Sequence, residues 1–281
     1  MVQKIAIIGS GAMGSDIAYV CALKGYEVKV TDLSEEYLEK GFDKIRQEIA
    51  TGIENGKLTI PEAEGVMNCL EAVPDLKVTV QNADLVIEAV FEDISIKKEL
   101  FARLDEYTGP TTILASNTST LSISEIASAT ERPEKVIGMH FFNPVAERQL
   151  VEIVVGEKTS EDTIQIIKEV SQQLEKKWVI AKDSPGFIVN RIAAAFINEG
   201  LRLLEEGIAS KEEIDTAVMF GLNLPMGPIA LADFIGLDTT YYAGNILHEK
   251  LGHCYKPSET LKKLVENKKL GMKTGEGFYK Y

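Results

Sequence analysis

The sequence predicts an α/β protein, a mostly parallel sheet carrying an inserted helical hairpin and followed by a smaller all-α domain. Three observations carry this expectation. Short apolar runs alternate with helix-like stretches up to about residue 183, one stretch between two runs is far too long for a plain crossover, and beyond residue 183 the short runs stop. The chain has 281 residues, 45% hydrophobic and 26% charged, which sustains an ordinary core and excludes disorder and collagen. At about 150 residues per domain this length allows two domains or one large one, and the pattern divides the chain as residues 1–183 and 184–281.

The apolar runs are residues 4–9, 28–32, 85–90, 112–116, 136–140, 150–155 and 178–181. Runs of that length are the mark of strands buried inside a parallel sheet. Between the run ending at Asp32 and a strand expected to begin near Lys77 lies more chain than a simple crossover needs. Leu38, Phe42, Ile45, Ile49 and Ile53 recur there at helical spacing, so one long amphipathic helix is expected, ended by Asn55-Gly56. Pro61-Glu62 opens a second helix, and the two are expected to project from the sheet as a hairpin. In the second part helices are expected over residues 187–206, 211–220, 229–250 and 258–267, punctuated by Gly207, residues 221–227 and Gly252.

The net charge is -13, and almost all of the excess acid lies in the first part, because residues 184–281 carry 11 Lys and Arg against 12 Asp and Glu. Such a chain lacks the basic stripe that grips a phosphate backbone, which argues against a nucleic-acid partner. No apolar run reaches the roughly 18 to 20 residues that span a bilayer, and the N-terminus has no signal-peptide pattern, so no membrane association is expected. Cys21, Cys69 and Cys254 lie far apart and form neither a disulfide framework nor a metal-ligand set. They fit a reducing cytoplasm, each as a small buried side chain. His248 and His253 have no obvious acidic partner and no HExxH occurs, so no metal is predicted.

The first run leads directly into Gly9-Ser10-Gly11-Ala12-Met13-Gly14, and an amphipathic helix is expected to follow to about Lys24. With a strand before it and a helix after it, this GxGxxG is the Rossmann-type dinucleotide turn: Gly9 makes the bend, Gly11 admits the pyrophosphate, and Gly14 lets helix and strand touch. The helix N-terminus supplies free N–H groups and partial positive charge to the phosphate. Asp32 closes the second run, where a carboxylate accepts hydrogen bonds from a ribose hydroxyl and repels a 2′-phosphate. No Arg follows it closely, so NAD is favoured over NADP.

His140 ends one apolar run and Glu152 lies inside the next. A carboxylate in an apolar strand must be paired or protonated, and a histidine on a neighbouring strand is a natural partner. Such a pair is a general base, the carboxylate fixing the imidazole while its other nitrogen takes a hydroxyl proton and hydride leaves for nicotinamide. A core histidine satisfied by a structural glutamate has the same spacing. Ser116-Asn117-Thr118-Ser119 follows a strand directly, and Asn190 opens the second part. These are donors suited to substrate oxygens, or equally to capping and turns.

The ordered blocks GSGAMG, SNTS, HFFNP, LVE, DSPGFIVNR, PMGP with LADFIGLD, and KTGEGFYKY resemble the 3-hydroxyacyl-CoA dehydrogenase family, most closely its short bacterial 3-hydroxybutyryl-CoA dehydrogenases, from Ile5 to Tyr281. The resemblance implies NAD as cofactor, an acyl-CoA substrate, a homodimer built on the C-terminal helices, and an acyl pocket lined in part by residues 225–228. It carries the catalytic His and Glu onto His140 and Glu152, the substrate-binding Ser onto Ser119 and the active-site Asn onto Asn190. It carries cofactor contacts onto Asp32, Glu92, Lys97 and Asn143. For Glu92 and Lys97 a solvated surface charge is the other reading. The family lays the CoA moiety along the hairpin, where Lys57 is the basic residue at the tip; Lys40, Lys44 and Arg46 fit a solvated helix face.

One loop departs from the family. Where NPxP and an apolar pair usually precede LVE, this chain has Ala146-Glu147-Arg148-Gln149 after Asn143-Pro144-Val145. Arg148 would suit a polar acyl group or the CoA phosphates, or the loop simply varies. Two other functions stay open: a dehydrogenase of free hydroxy or sugar acids, and a crystallin-like NAD(H)-binding protein without turnover. Ser95-Ile96-Lys97-Lys98 and Lys273-Thr274-Gly275 mimic serine β-lactamase motifs, but no SDN element lies between them and they leave the dinucleotide turn unexplained.

Overall fold

A computed structural model describes residues 2–281. Its strands are β1 (Lys4–Ile8), β2 (Glu27–Thr31), β3 (Leu70–Ala72), β4 (Leu85–Glu88), β5 (Ile113–Ser116), β6 (Val136–Phe141), β7 (Leu150–Val155) and β8 (Lys177–Lys182). They form one sheet in the order β3-β2-β1-β4-β5-β6-β7-β8, parallel throughout except where β7 runs against β6. Strand order reverses beside β1, so the carboxyl ends of β1 and β4 flank the crevice where open α/β sheets take ligands.

The helix following the glycine turn, α1 (Ala12–Leu23), is not amphipathic as expected. It is buried without a break from Gly14 to Ala22. The hairpin is the cause. Its helices, α2 (Glu35–Glu54) and α3 (Ile60–Asn68), send Leu38, Phe42, Ile45, Ile49, Ala63 and Val66 into the same core as α1 and the sheet. The hairpin is therefore packed onto the outer side of α1, and it is the segment around Lys57 that stands exposed. Asn55 caps α2 and Gly56 takes a φ of 67°, while Thr59 and Glu62 form a reciprocal capping box that starts α3 with Pro61 in its first turn.

Two further expectations for this region are corrected. The strand beside β2 is Leu70–Ala72, and the residues near Lys77 form a short helix, α4 (Leu76–Val80). Lys-Val-Thr-Val alternates like a strand, but the Asp75 side chain accepts from Val78 N and starts a helical turn instead. The run at residues 178–181 is an edge strand, with Trp178, Val179 and Ile180 each more than a third exposed at 39%, 37% and 43%. Apolar composition cannot tell a central strand from the last one.

The chain divides into two compact units between Ser184 and Pro185. The first also carries α5 (Ile94–Tyr107), α6 (Ile123–Ala127) and α7 (Glu161–Gln173), and the second contains α8 (Val189–Glu205), α9 (Lys211–Gly221), α10 (Pro228–Ile235), α11 (Leu237–Leu251) and α12 (Glu259–Glu266), around a core that includes Ile197, Leu201, Ile214, Ile229, Leu237 and Leu261. The single helix expected over residues 229–250 is two, because Gly236 adopts φ 103° between α10 and α11. Two buried aspartates anchor the C-terminal segment: Asp233 accepts from Phe278 N and Tyr279 N, and Asp215 from Ile229 N, Ala230 N and the Tyr279 hydroxyl. Of the cysteines, Cys21 is buried as expected, but Cys69 is half-buried and Cys254 exposed. Among the described residues no helix is long and apolar enough to cross a membrane, and no cluster of His, Cys, Asp or Glu is suited to a metal.

Candidate active site

The glycine turn runs from the end of β1 into α1. Gly9 has φ 96°, and a Cβ there would lie 2.7 Å from Ala89 O; a Cβ on Gly14 would lie 1.8 Å from Gly9 O. Both positions therefore exclude any side chain on steric grounds. At Gly11 a Cβ would meet nothing within 4 Å, so open space lies before the helix N-terminus. Gly11 caps α1 without any side-chain acceptor, which leaves the first-turn N–H groups to an anion. Asp32 follows β2, its Oδ2 accepting from Ser10 N at 2.6 Å and Ser10 Oγ at 2.7 Å, so the acid expected to meet a ribose also fixes the second residue of the turn. This set fits a dinucleotide.

His140 and Glu152 are register partners on β6 and β7. The reversal of β7 puts the two side by side, with His140 Nδ1 2.7 Å from Glu152 Oε2; Glu152 is wholly buried and His140 nearly so. Phe142 leans on the imidazole with ring centroids 4.4 Å apart. Beside His140, the Phe141 N–H donates to Asn117 Oδ1 at 2.9 Å, tying the turn after β5 to β6. His140 and the 116–119 turn thus stand together at one end of the sheet.

That turn is itself held from behind. Five donors converge on Glu92 Oε1, namely Thr118 Oγ1 at 2.6 Å, Ser119 N at 2.9 Å, Ser119 Oγ at 3.3 Å, and Thr120 N and Oγ1 at 3.1 Å. Lys97 opens α5 (Ile94–Tyr107) and is 1% exposed; the solvated-charge reading does not hold for it. Its Nζ lies 2.5 Å from Glu88 Oε1 and 3.5 Å from Glu92 Oε2. Burial pushes the Glu92 carboxyl upward, but Lys97 and the hydrogen bonds of Thr118, Ser119 and Thr120 outweigh it and hold the group below the ordinary 4.5.

Glu88 was not singled out from the sequence, although the signal that marked Glu152, a carboxylate in an apolar strand, is equally present in Leu85-Val86-Ile87-Glu88. Asp16 was missed as well. It is a buried helix residue paired with the half-buried Lys44 on α2 at 2.6 Å, and its Oδ2 receives the Val145 N–H at 3.4 Å. Lys176 Nζ donates to Val145 O at 2.5 Å and Arg148 O at 2.8 Å. The loop that departs from the family is thereby pinned through its backbone, while the Arg148 side chain is exposed and its Nε donates to Asn143 O at 3.4 Å. Asn143 is exposed in the same loop, Lys57 is exposed on the hairpin, and Asn190 lies in the first turn of α8 in the second unit.

Residues 4–184 match the model of the 3-hydroxyacyl-CoA dehydrogenase NAD-binding domain, and residues 186–281 that of the family's C-terminal domain. The chain is 43% identical to a probable 3-hydroxybutyryl-CoA dehydrogenase of Bacillus subtilis, over 100% of this chain and 98% of the relative. It is 42% identical to the human mitochondrial hydroxyacyl-coenzyme A dehydrogenase, over 100% and 92%. The crystal structure of an (S)-3-hydroxybutyryl-CoA dehydrogenase from Ralstonia eutropha superposes with a TM-score of 0.95 at 38% identity, covering 100% of this chain and 99% of that one. With both domains matched in order and a relative aligned end to end, the chain belongs to the 3-hydroxyacyl-CoA dehydrogenase family.

Proposed function

We propose that the chain oxidises (S)-3-hydroxyacyl-CoA to 3-oxoacyl-CoA, that 3-hydroxybutyryl-CoA is its substrate, and that the His140–Glu152 pair is the general base. The observation that carries this reading is the 2.7 Å contact between His140 Nδ1 and the buried Glu152 carboxylate. It commits Nδ1 as the donor and makes Nε2 the nitrogen that takes the substrate's hydroxyl proton. Bound NAD supplies the acceptor for the hydride that leaves the hydroxyl-bearing carbon. As the O–H bond breaks, its electron pair becomes the second carbon–oxygen bond, and the imidazolium formed is stabilised by Glu152. Ser119 and Asn190 donate to substrate oxygens, and Lys57 meets the CoA moiety.

Asp32 supports NAD over NADP, since a 2′-phosphate would approach a carboxylate already ordered by Ser10. A homodimer accords with the apolar surface of the second unit, where Phe220 is 82% and Leu222 66% exposed. The test is acetoacetyl-CoA-dependent consumption of NADH. His140→Ala is expected to lower kcat by about 10²- to 10⁴-fold, with Glu152→Gln falling in the same direction. Equal rates before and after the His140 change would remove it from the mechanism. If free acetoacetate served as well as its CoA ester, the substrate would be a free acid.

A further inference from the structure

Glu88 is wholly buried at the end of β4, and the Lys97 it meets is 1% exposed. Two charges are taken out of water only at a high cost, and an apolar pair of similar volume would serve architecture as well or better. Here both oxygens of Glu88 are spent on one neighbourhood. Oε1 receives Lys97 Nζ at 2.5 Å and Val90 N at 2.7 Å, and Oε2 receives Ser116 Oγ at 2.6 Å.

Two routes lead from this carboxylate to Ser119. In one, the Ser116 hydroxyl donates a hydrogen bond to Glu88 and its Oγ accepts the Thr118 N–H at 3.2 Å, which fixes the first bend of the turn. In the other, Glu88 holds Lys97, Lys97 faces Glu92 Oε2 at 3.5 Å, and Glu92 Oε1 gathers the N–H and hydroxyl of Ser119. The routes approach the turn from opposite ends. Strands β4 and β5 lie in register with Glu88 opposite Ser116, so the sheet itself sets the starting point of both.

We propose that Glu88 is a positioning residue for Ser119, holding the 116–120 turn in place through Ser116 on one side and through Lys97 and Glu92 on the other. The proposal rests on the reading of Ser119 as a substrate ligand. Neutralising Glu88 leaves Lys97 to compete for Glu92, which draws that carboxylate away from the turn.

A kinetic double-mutant cycle tests this with acetoacetyl-CoA and NADH, using Glu88→Gln, Ser119→Ala and the double variant, each normalised to the folded fraction from a thermal melt. Glu88→Gln is expected to lower kcat/KM by about 10- to 100-fold, the loss that a misplacement near 1 Å produces. On the Ser119→Ala background the same change is expected to cost less than about threefold, because the side chain it serves is gone. A merely structural role would cost the same factor on both backgrounds; that result overturns the proposal and leaves Ser119 its role. Wild-type kinetics for Ser119→Ala would overturn the Ser119 reading and this inference with it, and wild-type kinetics for Glu88→Gln would overturn the inference alone. If Glu88→Gln does not fold, Ser116→Ala, which removes only a hydroxyl, is judged by the same cycle: a loss confined to the Ser119 background supports the proposal and an equal loss on both overturns it.

Discussion

The turn from Gly9 to Gly14 and the turn from Ser116 to Thr120 both leave the carboxyl end of a sheet strand, yet they are held in place by opposite means. The glycine turn is shaped by exclusion: atoms already present forbid side chains at Gly9 and Gly14. The serine turn is shaped by attraction, its donors gathered by Glu92 and its first bend fixed by Ser116 on Glu88. The first device is local in sequence and cheap to build. The second needs charges brought from another strand and another helix.

The largest expected effect breaks the first turn. In Gly14→Ala the new methyl would meet a backbone oxygen at 1.8 Å, and neither strand nor helix yields easily, so destabilisation of about 2–4 kcal/mol is expected together with loss of NADH binding. Gly11→Ala is the counterpart, since nothing lies within 4 Å of its Cβ. Stability should stay within about 0.5 kcal/mol of the parent, while NADH affinity falls because the methyl occupies the space through which phosphate approaches. Thermal melts paired with NADH fluorescence titrations read both quantities. Equal stability losses in the two variants would show that the turn is not divided between a packing glycine and an access glycine.

The same contrast explains what could be read from the sequence. The glycine turn was legible because its steric rule is written in adjacent residues, and the His140–Glu152 pair was legible because a lone acid in an apolar strand demands a partner. Glu88 obeys that second rule, but its partners lie on α5 and β5, and no spacing announces them. For Lys97 and Glu92 the sequence leaves a cofactor contact and a solvated charge both open, since burial of a charge is decided by elements distant along the chain. The buried face of α1 was hidden in the same way, because only the packing of the hairpin shows that its outer side is covered. The long hairpin helix follows from its periodicity, while the alternation near Lys77 misleads, and the helix at Leu76–Val80 and the break at Gly236 depend on one cap or one backbone angle each.

A pH experiment sharpens the second half of the comparison. The Glu92 carboxyl titrates below 4.5 in the folded chain, so the stability it contributes is fully present above its unfolded value and is lost as pH falls through the lowered folded value. Glu92→Gln removes that linkage. The gap in melting temperature between parent and variant should be widest near neutrality and close progressively below about pH 4.5. A gap that is constant with pH would mean that the charge on Glu92 does not hold the turn.

The smallest expected effect tests how evenly the load on Glu92 is shared. Thr118 Oγ1 is its nearest donor at 2.6 Å, and it also accepts the Leu121 N–H at 3.0 Å. Thr118→Val keeps the shape and removes both of these bonds together with a longer one accepted from Thr120 N at 3.4 Å, but the Ser119 and Thr120 donors still reach Glu92 Oε1. A loss of about 1–2 kcal/mol in stability is therefore expected, with kcat/KM changed by less than about fivefold. If this change instead matched Glu88→Gln in its effect on turnover, the turn would hang on a single hydroxyl, and the two routes from Glu88 would not be sharing the work.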